Sequence, residues 1–138
     1  MAVREADPDR RTWDLMNYEV NYIHLGYRFG FDCAGTKNRD GYVAFTINVP
    51  FQLTSPDGQT TFDPEDLTTI AGALVILHRD VISVTVFGSG RLEARFAGDL
   101  SLSVDKHPQY ETWESHGQGE LADLTMLCSP QDGAPYGT

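Results

Sequence analysis

Basic residues are scarce in this chain. Ten Lys and Arg stand against twenty Asp and Glu, a formal net charge of −10 over 138 residues. Phosphate backbones and anionic lipids are recognised through basic surfaces that displace counterions, so neither nucleic acid nor a membrane is an expected partner. The same balance favours a basic protein, whose approach an acidic face accelerates. It also serves ordinary solubility. Cysteine is rarer still: Cys33 and Cys128 stand near opposite ends with no CxxC spacing. Each has strand-like apolar neighbours, which predicts buried free thiols, with a single bridge between the ends as the alternative in an exported protein. No apolar run reaches the roughly 20 residues of a membrane-spanning helix. The opening MAVREADPDRR is charged where a leader would be apolar, so a cytoplasmic protein is expected.

Catalytic and metal-binding signatures are lacking too. The four histidines, His24, His78, His107 and His116, show no HExxH or HxxxH spacing. Gly88-Ser89-Gly90 is too short for a phosphate loop and lies between strands instead of opening a helix. There is no GxSxG, and Cys128 lacks the electropositive setting of a reactive thiolate. No metal, no cofactor and no catalytic residue is assigned, and a non-enzymatic protein is the expectation.

What the chain does have is alternation. Its centre is the stretch from Val81 to Trp113, three short segments whose apolar faces are Ile82, Val84, Val86, then Leu92, Ala94, Phe96, then Leu100, Leu102, Val104. Gly88-Ser89-Gly90 and Ala97-Gly98-Asp99 punctuate them, the pattern of an antiparallel meander. Upstream, Tyr18, Val20 and Tyr22 share one face, and Tyr27, Phe29 and Phe31 resume it after Gly26, as two strands or one strand bulged at the glycine. Val43, Phe45, Ile47 and Val49 make a further strand, and Ser55-Pro56-Asp57-Gly58 a turn. Asp63-Pro64-Glu65-Asp66 has the chemistry of a helix start, and Leu67, Ile70, Ala71, Leu74, Leu77 and His78 follow as one apolar stripe about four turns long. Leu121 to Cys128 is expected as a last strand. Residues 1–12 and 129–138 are expected as a loose arm and tail around a single domain at 13–128.

The fold predicted from this pattern is α+β: a curved antiparallel sheet of about six strands, with one main helix on its dry face. The candidate partner-binding residues are Asp105, Tyr110, Glu111, Trp113 and Glu114. Glu111 and Glu114 with Asp105 would form an acidic rim, while Tyr110 and Trp113, at helical spacing, either join it or plug the core. Other readings are a small-molecule binder or small enzyme with a cavity lined by Tyr22, Tyr27, Phe29 and Phe31, and a homodimer formed through an open strand edge.

Several of these stations recur together. Pro50-Phe51 precedes the turn at Ser55 to Gly58, then come Asp63-Pro64, the hairpin around Gly88 to Gly90, and Tyr110-Glu111-Thr112-Trp113. In this order the chain resembles, over roughly residues 15–128, a family of small bacterial proteins common in actinobacteria, the domain of unknown function 6188. It departs from the family pattern at Ser129-Pro130-Gln131-Asp132-Gly133, where a Pro-Gly-Gly turn is usual. The resemblance implies no catalytic residues. By analogy of size and charge alone, small acidic domains of this kind look like immunity proteins that occlude a basic toxin.

Overall fold

Period-two alternation wins almost everywhere. The computed structural model describes residues 9–130 and the backbone of Tyr136–Gly137. Eleven strands are found among them. The first five are β1 (Arg11–His24), β2 (Phe29–Gly35), β3 (Tyr42–Ile47), β4 (Phe51–Ser55) and β5 (Gly58–Phe62). Then follow β6 (Asp80–Val86), β7 (Leu92–Phe96), β8 (Leu100–Val104), β9 (Trp113–Gln118), β10 (Met126–Cys128) and β11 (Tyr136–Gly137). They form one antiparallel sheet in the order β11-β10-β9-β3-β2-β1-β6-β7-β8-β4-β5.

The expected α+β fold with about six strands and a main helix is therefore wrong. The protein is nearly all β, and the predicted helix is not there. Residues 63–69 are turn and irregular structure, and Ile70–Ile76 is a single 3₁₀ segment. Only Ile70, Ala73 and Ile76 are buried in it, a spacing of three that suits the 3₁₀ repeat. Leu67 and Leu74 of the supposed stripe are exposed, as is Val75 beside it. Local polar bonds compete with the helix: Asp66 Oδ1 accepts from the Thr68 amide (3.1 Å) and hydroxyl (2.6 Å). Gly72 and the β-branched residues around it weaken helix propensity further.

The sheet curls on itself. Phe31 of β2 stacks on Phe45 (4.8 Å) and meets Phe96 of β7 edge-on (6.1 Å), while Phe29 lies 4.8 Å from Phe51 of β4. The Phe31–Phe96 and Phe29–Phe51 contacts join strands from opposite halves of the order. Each buried Phe stabilises the fold by roughly 1.5–3 kcal/mol through area removed from water. Three register shifts assist the curl. Two lie in β1, between Asp14 and Tyr18 and between Val20 and Tyr22, and one in β6 between Val81 and Ser83.

The shifts also re-face side chains. Tyr18 and Val20 are in the core, but past the bulge Tyr22 is 57% exposed. In β6, Val81 takes the core position expected of Ile82. The meander's other two strands are as read, with Leu92, Ala94, Phe96, Leu100, Leu102 and Val104 all buried. Gly98 and Asp99 both have positive φ (85° and 58°), the two left-handed positions that close the β7–β8 hairpin. β1 starts at Arg11 and pairs with Val86 there, two residues before the expected domain start. At the other end, β11 pairs with β10, while 131–135 and 138 of the expected tail, like 1–8 of the expected arm, lie outside the described residues. Both cysteines are buried free thiols, and burial raises the pKa of each.

Candidate functional site: an acidic aromatic cleft

The connection between β8 and β9 carries most of the predicted site, and backbone chemistry holds it in shape. Pro108 fixes the bend. The His107 amide donates to Thr112 Oγ1 (2.8 Å), and the Gln109 amide donates to His107 Nδ1 (3.0 Å). A neutral His107 accepting at Nδ1 carries its proton on Nε2. Asn48 anchors the far end: its amide donates to the Thr112 carbonyl (2.9 Å) and its Nδ2 to the Glu111 carbonyl (3.2 Å). The Thr112 amide donates to the Cys128 carbonyl (3.0 Å).

The five predicted residues separate. Trp113 is fully buried, and its Nε1–H donates to the Gly90 carbonyl (2.9 Å), so it closes the core and presents nothing to a partner. Asp105 is held outward by Arg91 (2.7 Å), and Glu114, on β9, is paired with His116 (3.0 Å). Tyr110, 60% exposed and ring-to-ring with His107 at 4.9 Å, and Glu111 remain together. Both line a cleft of about 790 Å³.

Its other walls come from distant parts of the chain. Tyr27 and Arg28 reach it from the β1–β2 turn, Asp63 and Glu65 from the segment after β5, and Asn48 from the end of β3. Tyr27 is 83% exposed and sits at φ 62°, a left-handed conformation uncommon for a bulky residue. Asp63, Glu65 and Glu111 have no ion-pair partner among the described residues, unlike Asp105, Glu114 and Glu120. Asp63, Glu65 and Glu111 thus line the cleft together with one guanidinium, Arg28, and the His107 ring. Asn48 Oδ1 is buried without a hydrogen-bond partner.

Arg28, Asp63 and Glu65 are not among the residues the sequence singles out for a site, and Tyr27 is expected there only as the lining of an aromatic cavity. Asp63 was read as a helix cap, a role it keeps only locally by accepting from the Glu65 amide (3.0 Å).

A second polar cluster lies on the outer face of β1, β2 and β3. Asp32 is 5% exposed, yet its carboxylate is fully served: Tyr42 donates its hydroxyl to Oδ2, and His24 Nε2 lies 3.2 and 3.3 Å from the two oxygens. Burial, then the Asp32 bond, pushes Tyr42 up to about 12. Tyr18, buried and donating to Glu120, is likewise raised to about 12 against the opposing pull of a Gly41 backbone bond and of Arg39. A tyrosine raised in the fold contributes its full stability below 10, its unfolded value, and loses it as pH climbs from 10 to 12. The urea midpoint is therefore expected to fall across that window. A late tyrosinate absorbance component near pH 12 should shrink in Tyr42→Phe and again in Tyr18→Phe. Loss of that component in neither variant would place the raised groups elsewhere.

The aromatic cavity expected of Tyr22, Tyr27, Phe29 and Phe31 does not form, because the two phenylalanines are in the packed core and the two tyrosines are outside. One protein-family model, a family of unknown function (DUF6188), matches residues 5–133. No curated protein and no solved structure matches the chain.

Proposed function

The chain belongs to the DUF6188 family, and on that premise, which brings no chemistry with it, we propose that the protein is a non-enzymatic binding module. Its cleft holds a basic segment of a partner protein, most concretely in the manner of an immunity-type inhibitor that occludes a basic toxin. The observation that carries this reading is the set of uncompensated carboxylates, Asp63, Glu65 and Glu111, collected around two exposed tyrosines in one cleft. Carboxylates that outnumber the one guanidinium at a concave surface attract a cation, and aromatic rings add apolar area and cation–π attraction to the same contact. Charge complementarity of this kind sets association rate and salt sensitivity.

The test is affinity capture of the tagged protein from its native cells, eluted through a salt gradient. A single basic protein leaving at moderate salt is expected. Putting a like charge against the partner costs several kcal/mol, so Asp63→Lys with Glu111→Lys should weaken the recovered complex at least about a hundredfold by calorimetry. Charge reversal at Asp105 and Glu114, which already have partners, should change it far less. A complex that tolerates the first pair and fails with the second would move the interface away from the cleft.

A further inference from the structure

The cleft carries more than negative charge. Its two exposed rings, Tyr27 and Tyr110, come from different elements, the β1–β2 turn and the β8–β9 connection, and both line the cleft. The same wall holds an acceptor without a donor. Asn48 Nδ2 is fixed by its bond to the Glu111 carbonyl, which fixes the amide's orientation and leaves Oδ1 buried and unmatched. That oxygen, like Ser115 Oγ, is shut off from solvent, so the chemistry of the ligand follows from the rings and the carboxylates.

These features do not suit all cations equally. An ammonium is a compact, strongly hydrated point charge. A guanidinium is planar, more weakly hydrated, stacks on aromatic faces and has five N–H donors in a rigid fork. Only the second can lie flat against a tyrosine ring and at the same time pair with a carboxylate in bidentate fashion. We propose that the group recognised by the cleft is an arginine side chain of the partner, stacked on Tyr110 and Tyr27 and paired with Glu111 or Asp63, and that lysine is a poor substitute. This rests on the reading of the cleft as a site for a basic partner segment, and names what that site selects.

Two blocked peptides of equal charge, tetra-arginine and tetra-lysine, separate the ideas by calorimetry at physiological salt. The arginine peptide is expected to bind at least about tenfold more tightly. Tyr110→Leu, at an exposed position, should bring the two affinities together with the thermal midpoint unchanged. Asp63→Lys with Glu111→Lys should abolish both interactions. Equal affinity for the two peptides, both lost on charge reversal, would overturn the arginine assignment while the cleft remains a cation site. An arginine preference that survives the charge reversal overturns it as well, by placing the contact elsewhere. No binding of either peptide would overturn both readings.

Discussion

Trp113→Ala is expected to destabilise the protein by about 3–5 kcal/mol, read as a fall in the urea midpoint at unchanged slope. Trp113 heads the set of largest fully buried side chains, and its loss opens a cavity where β9 meets the β6–β7 turn. It also takes a donor from the Gly90 carbonyl, which keeps only the weak, long contact from Cys128 Sγ (3.5 Å). Trp113→Phe restores much of the volume and not the donor, so about 1–3 kcal/mol of the loss should persist. The result also decides between two readings of the Tyr-Glu-x-Trp segment. A tryptophan at a docking surface would leave stability alone and weaken binding; a core tryptophan does the reverse. Glu111→Gln, two residues away but outside the core, should leave the urea midpoint in place.

Gly117→Ala is the second large effect. Gly117 lies in β9 where the chain turns back through Gly119–Leu121 toward β10. A Cβ there would overlap the Leu121 carbonyl oxygen and stand 3.1 Å from that of Leu124. Both obstacles are backbone, so no rotamer change relieves them. The return loop is itself fixed, because Thr125 Oγ1 accepts from the Gly117 amide and donates to the Ala122 carbonyl, both at 3.0 Å. The loop must therefore shift as a unit, at about 3 kcal/mol or more. Denaturation of Gly117→Ala should show that loss, with hydrogen exchange rising first in β9 and β10. A wild-type midpoint would mean that the loop gives way more easily than its bonds indicate.

Much of the architecture was legible because alternation is a strong signal. The two meander strands Leu92 to Phe96 and Leu100 to Val104, the strand around Phe45, and the glycine turns were all readable without coordinates. The bulges were not. Nothing in the residues Asn21 or Ile82 announces that the next side chain will change face, because a bulge answers to the pairing of distant strands. The false helix has another cause. Asp63-Pro64-Glu65-Asp66 satisfies every rule for a helix start, and Ile70, Ala73 and Ile76 fit a spacing of three as well as a helical stripe. Gly72 and the Asp66–Thr68 bonds tipped the balance. The site was half legible: Tyr110 and Glu111 stand next to each other in the chain, whereas Tyr27, Asp63 and Glu65 join them only through the curl of the sheet.

That curl has a consequence for how the chain reaches its folded state. β1 pairs with β2 on one side and, across a gap of more than fifty residues, with β6 on the other. Arg11 and Trp13, near the start of β1, donate to Asp123, 112 and 110 positions further along. Loops of that length must close before their contacts reward them, so folding belongs to the slow range of milliseconds to seconds. During synthesis at roughly 5–20 residues per second, β1 waits for several seconds with one edge unpaired until β6 emerges. A chaperone that shields that edge should raise the yield of folded protein more than any change to the cleft, and the nascent chain is most vulnerable to aggregation in that interval.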